Sequence, residues 1–357
     1  MTKADYMYLI CAFVAALLLS FASTPIAKTF AYKIGAIDVP KDKRRMHKEP
    51  IPRLGGLAIF SGFYISVLVF CSAYMTKEIR GMLIGSIVIV ALGIFDDVLA
   101  LTPLPKFITE MIAIVIPVIS GVRITGLPNI FSDTNAYIQL SVPAQYIVTI
   151  IWLLWLLNSI NLIDGLDGLA AGVSAIMSLC SMIILILLCS PAVAIIAAAL
   201  AGSCIGFIPY NANPAKQFMG DTGSMFIGYT LAVMSVMGLF KAYAIIAFAI
   251  PFLLFGLPIF DMIFVGVRRM LNGRSPMSAD KTHLHHRLID LGFNQRQAVA
   301  IMYAIAALLG LLAVIITGEG FMRAAVIVIV AFVIVILCSV VMYKHKKNKE
   351  KASDEQD

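Results

Sequence analysis

AQYIVTIIWLLWLLNSINLIDGLDGLA, residues 144–170, decides how the chain is read. Its first part, 144–161, is an apolar run close to the roughly 20 residues that a helix needs to cross the hydrocarbon of a bilayer. At the end of the run stand Asn161, Asp164 and Asp167, with Gly165 and Gly168 between and after them. Residues three apart share a face while the backbone stays helical. Glycine then lets the chain leave the helix and approach a ligand closely. Oxygen-bearing side chains in this pattern suit Mg²⁺, a sugar or a nucleotide. They lack the spacing and the terminal Glu of an EF-hand. A carboxylate near bilayer depth is expensive and functional by default.

The rest of the chain repeats the theme. Of 357 residues, 61% are hydrophobic and 13% charged, and the mean hydropathy is +0.94. A soluble protein of this length needs far more charged surface. Apolar runs occur at about 6–30, 54–75, 81–96, 106–120, 144–161, 169–189, 191–209, 223–240, 242–266, 298–317 and 322–343. The expected fold is an all-α polytopic membrane protein of about 11 transmembrane helices. Residues 1–343 form a single integral membrane catalytic domain, and 344–357 a charged, disordered cytoplasmic tail. The first run is too long for a signal-peptide core and reads as a retained helix. All six cysteines fall in apolar runs without a CxxC pair, so neither a disulfide framework nor cysteine chemistry is indicated.

Charge sets the orientation. With the N-terminus outside, the inner segments hold Lys28, seven Lys and Arg in 33–53, Lys106, Lys216, six in 267–297 and five in the tail. Lys3, Lys77, Arg80, Arg123, Lys241 and Arg323 remain outside. That asymmetry obeys the positive-inside rule and puts the C-terminus in the cytoplasm. The net charge of +7 sits in short loops and the tail, an arrangement for topology and anionic headgroups rather than for nucleic acid.

Four polar clusters then fall on the inner side. Asp96 and Asp97 end the third run; one can act as base or metal ligand while Lys106 holds the other. Asn161, Asp164 and Asp167 follow the fifth. Asp221, between Gly220 and Gly223, enters the eighth, where helix-entry amides favour anions; it is the best single metal ligand. His283, His285, His286 and Arg287 lie in the loop after the ninth, with Arg268, Arg269 and Arg274. Without cysteine partners they suit phosphate better than zinc. The basic loop KDKRRMHKEPIPRLGG, 41–56, offers His47, Lys48 and Arg53. Asp261 is a further candidate for the site wall, and Glu110 has no role that the sequence suggests.

Together PRLGG at 52–56, DD at 96–97, NLIDGLDGLA at 161–170, FMGDTGS at 218–224 and HLHHRL at 283–288 resemble the polyprenyl-phosphate N-acetylhexosamine-1-phosphate transferase family, glycosyltransferase family 4. The motifs stand in family order over nearly the whole chain. Its peptidoglycan branch carries three consecutive histidines followed by an aromatic residue, and usually Thr where this chain has Arg53. His283-Leu284-His285-His286-Arg287 and Arg53 look instead like the branch that uses UDP-N-acetylglucosamine.

The resemblance implies transfer of N-acetylglucosamine 1-phosphate from UDP-GlcNAc to undecaprenyl phosphate, with release of UMP. This is the first membrane step of a teichoic-acid linkage unit, O-antigen (lipopolysaccharide) or similar cell-wall glycan. It implies Mg²⁺, or Mn²⁺ in its place, on Asp221 and Asp97, with Asp96, Asp97 and Asp221 catalytic. Lys48, Arg53, Lys106, Asn161, Asp164, Asp167, His283, His285, His286 and Arg287 are the expected substrate-binding residues. The site faces the cytoplasm from a bacterial plasma membrane, and a homodimer is a candidate assembly. Alternatives are phospho-MurNAc-pentapeptide transfer and a secondary transporter. The latter would place polar groups near the midplane, often in repeated halves.

Overall fold

The computed structural model describes residues 1–40, 49–129, 137–241, 245–271 and 283–318. Twelve helices make up the described chain: α1 (Lys3–Ile34), α2 (Gly56–Phe70), α3 (Lys77–Leu99), α4 (Pro103–Ile119), α5 (Val142–Ile163), α6 (Leu169–Leu187), α7 (Pro191–Asn211), α8 (Gly220–Gly238), α9 (Ile245–Leu254), α10 (Gly256–Leu271), α11 (Leu284–Asp290) and α12 (Gln295–Gly318). Two 3-10 turns (Ser72–Tyr74 and Leu239–Lys241) and two antiparallel ribbons complete it: β1 (Ile37–Asp38) with β2 (Ile51–Pro52), and β3 (Gly126–Pro128) with β4 (Tyr137–Gln139).

Each of the first ten expected runs corresponds to helix, with two differences. The run at 242–266 is divided into α9 and α10 at Phe255. The histidine segment, expected as loop, contains α11. Six described helices, α1, α3, α5, α6, α7 and α12, are long and apolar enough to cross a membrane, and α2 is apolar but shorter. The chain is a multi-pass membrane protein on that basis. The expected run at 322–343 and the tail lie outside the described residues, as does Lys48.

The sequence explains the starts and seams. Proline stands in the first turn of α4, α5 and α7, where its missing N–H costs nothing. Along α1 the buried residues Ala12, Ala16, Ser20, Thr24, Ala27 and Ala31 form a small-residue stripe. Gly202 and Gly206 of α7 answer it: a Cβ there would lie 2.2 Å from Phe13 O and 2.3 Å from Leu17 O. Without a hydrophobic force between helices in lipid, such close approach supplies the packing energy.

The core is α8. Every residue from Thr222 to Gly238 is buried, against α2, α3, α5, α6 and α7. Trp152 of α5 donates its indole N–H to Ser235 at 2.8 Å, and Tyr229 donates to Met82 O of α3 at 3.0 Å. The centre of the bundle is therefore the helix that begins with the FMGDTGS motif, and it fixes where that motif sits.

Candidate active site

Two of the motifs are zipped by backbone hydrogen bonds. Phe218 N donates to Pro52 O at 2.8 Å, Gly55 N to Phe218 O at 2.9 Å, and Gly56 N to Met219 O at 2.9 Å. This brings Arg53 to the start of α8. Gly220 turns the chain there at φ +70°, and a Cβ on it would meet Arg53 O at 2.2 Å and Asp97 Oδ2 at 2.5 Å. Only glycine satisfies both the left-handed backbone and the space.

Asp97 caps α8 from another helix. Its Oδ1 accepts from Asp221 N at 3.0 Å, and its Oδ2 accepts from Thr222 N at 3.0 Å and Thr222 Oγ1 at 2.7 Å. Arg53 Nε stands 3.9 Å from Oδ1. The amides that the sequence offered to a phosphate are thus already spent on a carboxylate.

Asp96 lies against the Asp221 side chain rather than against the helix-entry amides. It accepts from Leu101 N at 2.8 Å and from Lys106 Nζ at 2.8 Å. Lys106 also stands 3.4 Å from Asp221 Oδ2, so one cation bridges the two carboxylates. Asn161 Nδ2 donates to Asp221 Oδ1 at 2.7 Å and to Ser224 Oγ at 2.8 Å. One turn back on α5, Asn158 Nδ2 donates to the buried Glu110 at 3.1 Å, which gives Glu110 the partner that the sequence did not suggest. Asp221, Asn161, Lys106 and Asp96 form one connected cluster, and the Asp221 side chain keeps 29% of its surface exposed.

Asn161, Asp164 and Asp167 part company once α5 ends at Ile163. Asp167 accepts from Asn213 Nδ2 at 2.9 Å and Ala215 N at 3.1 Å, which fastens the loop before α8. Asn213 in turn donates to Gln295 at 2.7 Å and accepts from Arg296 at 3.3 Å, tying the loop to α12. Asp164 is half-buried and, among the described residues, accepts no hydrogen bond. Burial first, then the nearby charges of Asp221 and Asp97, push its carboxyl up to about 7.

A cavity of about 820 Å³ opens beside these groups. Arg53, Asp164, Asp167, Lys216, Gly220 and His286 are on its wall, as are Lys28 and Tyr32 of α1, Asp38, Glu49, Asn211 and Phe218. In the sequence Lys28 counts only as an inner-side cation and Tyr32 not at all; their one shared signal is a spacing of four at the end of the first helix. His283 and His285 are buried rather than on the wall, and burial pushes His285 down to about 4, so it is neutral at physiological pH. Arg287 is exposed, 4.8 Å over the Phe264 ring.

Among the described residues no three His, Cys, Asp or Glu side chains are close enough to hold a metal unaided. Mg²⁺ asks for less: one or two carboxylates, with substrate phosphates and waters completing the shell. Asp221, partly exposed, and Asp164, which accepts no hydrogen bond among the described residues, fit that demand.

A family model described as glycosyl transferase family 4 matches residues 79–239, from α3 to the end of α8. A probable undecaprenyl-phosphate N-acetylglucosaminyl 1-phosphate transferase of Bacillus subtilis (strain 168) is 38% identical over 330 residues, 92% of this chain and 89% of the relative. A decaprenyl-phosphate N-acetylglucosaminephosphotransferase of Mycobacterium tuberculosis is 32% identical over 317 residues, 81% of this chain and 77% of the relative. An undecaprenyl-phosphate alpha-N-acetylglucosaminyl 1-phosphate transferase of Yersinia pestis is 29% identical over 306 residues, 84% and 81%. With the motif order, four of the five motifs contributing to one cavity wall, and a relative aligned almost end to end, the chain belongs to glycosyl transferase family 4.

Proposed function

We propose that the protein transfers N-acetylglucosamine 1-phosphate from UDP-GlcNAc to undecaprenyl phosphate, releasing UMP and leaving undecaprenyl-diphospho-GlcNAc. The observation that carries the reading is the cluster of Asp96, Lys106, Asn161 and Asp221 beside a polar cavity whose wall includes Arg53, Asp164 and His286. The relatives' names supply the sugar phosphate and the lipid acceptor. The site works at the cytoplasmic face of a bacterial plasma membrane, the side that the distribution of Lys and Arg marks as inner. A homodimer is compatible with this chemistry and not required by it.

The chain's residues divide the work. A phosphate monoester has its second pKa near 6, so at neutral pH the lipid phosphate attacks largely without a base. What two approaching anions need is charge compensation and alignment. Asp221 and Asp164 would hold Mg²⁺, which when bound neutralises the donor diphosphate. Arg53 and Lys216 bring fixed positive charge to the cavity wall, and His286 adds a hydrogen-bonding group. Lys106 offsets part of the negative charge that Asp96 and Asp221 share, and with Asn161 on the other oxygen it fixes the orientation of the Asp221 carboxylate. Asp97, expected as the second metal ligand, is assigned a positioning role, because both its oxygens are engaged at the start of α8. Asp167 holds the Asn213–Ala215 loop in place as part of the cavity wall.

The test of the activity is direct. Purified protein with undecaprenyl phosphate and Mg²⁺ should release UMP from UDP-GlcNAc and not from UDP-MurNAc-pentapeptide. UMP release only from the pentapeptide donor would move the chain to the peptidoglycan branch, and release from neither would remove the activity.

A further inference from the structure

Asp261 has no part in the mechanism above, yet it is buried near the middle of α10 with both oxygens in use. Its Oδ2 is 2.9 Å from His283 Nδ1, and its Oδ1 accepts from Leu284 N at 2.7 Å. The second bond caps α11 from a different helix; His283 itself makes no side-chain cap. The first bond is satisfied when His283 carries its proton on Nδ1 and donates to the carboxylate. One residue therefore sets both the place of α11 and the orientation of the histidine that begins it.

What α11 carries makes that placement matter. The His283 and His285 rings are stacked, 5.7 Å between centroids and 11° between planes. His285 lies against the turn that follows α5: a Cβ on Gly165 would be 2.3 Å from His285 Nε2. His286, 4.3 Å from His285 between ring centroids, is on the cavity wall with Asp164 and Gly165. The chain of contact runs from Asp261 through His283 and His285 to the Asp164–Gly165 turn and to His286. A shift of α11 moves two parts of the wall at once.

We propose that Asp261 is a positioning residue for the sugar nucleotide: by holding His283 and the start of α11, it seats His286 and braces the Asp164–Gly165 turn against the donor. A carboxylate that fixes a histidine's tautomer and ring plane acts at a distance of one residue from the ligand. Its loss acts on donor binding and spares the lipid phosphate. The inference rests on the transferase reading.

The experiment uses the full chain, purified, with UMP binding measured by calorimetry and transfer measured by UMP release. Asp261→Asn can still accept from Leu284 N, but its amide cannot accept the His283 N–H from the same side. UMP affinity should fall about tenfold, with a matching rise in KM for UDP-GlcNAc and little change in KM for undecaprenyl phosphate. On a His283→Phe background the same change should add little, because the link is already cut. If Asp261→Asn does not fold, His283→Phe alone must raise KM for UDP-GlcNAc. Unchanged UMP affinity in Asp261→Asn, a full additional loss on the His283→Phe background, or a loss of kcat and Tm with KM unmoved would each overturn the proposal. Failure of the unsubstituted protein to bind UMP would overturn the transferase reading, and this inference with it.

Discussion

Asp97 and Asp221 have the same chemistry in the sequence and opposite duties in the fold. Asp97 accepts three hydrogen bonds at the entry of the central helix, and bonds to a charged acceptor contribute about 1.5–3 kcal/mol each. Asp97→Ala is therefore expected to lower stability by several kcal/mol, read as a fall in Tm, and activity falls with it. Asp221→Asn keeps an oxygen for Asn161 and should leave Tm close to that of the parent while abolishing transfer. A neighbour-by-neighbour reading of the chain could find both carboxylates but not divide them. A side chain that caps another helix 124 residues away leaves no local signature. Asp164 was legible as a candidate because its spacing from Asn161 and its flanking glycine are local. Its elevated pKa was not, since that depends on Asp221 and Asp97 arriving from other helices. The sign of its pH dependence follows. Metal binding requires the ionised carboxylate, so Mg²⁺ affinity in the absence of donor should rise with pH up to about 7 and level off above it. A flat titration between about pH 5.5 and 8 would remove Asp164 from the metal site.

At the scale of elements, the seam between α3 and α8 is set by absent side chains. A Cβ on Gly93 would lie 2.3 Å from Thr222 Cα, backbone against backbone, with no flexible group to give way. Gly93→Ala should wedge α3 away from the Asp97 cap, costing about 2–3 kcal/mol or more and lowering kcat. Gly266 of α10 is the control, since a Cβ there would have nothing within 4 Å. Gly266→Ala should be neutral or stabilise by up to about 1 kcal/mol, because alanine is the better helix former. Thermal melts of the two variants in parallel check the contrast. The helices of the first ten apolar runs were legible, since apolar runs of this length have few alternatives in a membrane. Two things were not. The division at Phe255 lies inside a run that is apolar on both sides, so hydropathy carries no mark of it. The helix at Leu284–Asp290 is a single short segment in a basic stretch, and it is fastened by Asp261 rather than by its own sequence.

For the whole molecule, the four polar clusters were expected to meet, and among the described residues they do so through named contacts. Asp97 meets Asp221, Asn161 meets Asp221, and His285 lies against Gly165. The reason such convergence is legible is topological: clusters at alternate helix ends in an odd-and-even sequence of crossings return to one surface. Which surface it is rests on the distribution of Lys and Arg. Cys189, exposed just beyond the far end of α6, should react with a membrane-impermeant maleimide in intact cells. A cysteine introduced at Asp290 of α11 should react only after permeabilisation. Labelling with the reverse pattern would invert the orientation and place the cavity outside. The part of the wall made by Lys28, Tyr32, Asp38 and Glu49 was the least legible, because it is assembled from the end of α1 and the segments around the β1–β2 ribbon, which are distant in sequence from the polar motifs.

The most direct measurement follows labelled N-acetylglucosamine from UDP-GlcNAc into the undecaprenyl lipid fraction, using purified protein, with and without Mg²⁺, beside Asp221→Asn of equal Tm. Label should enter the lipid with equimolar UMP release, only when Mg²⁺ is present, and not at all in the Asp221→Asn protein. Transfer that proceeds undiminished in that variant would contradict the assignment of this cluster as the site of the reaction.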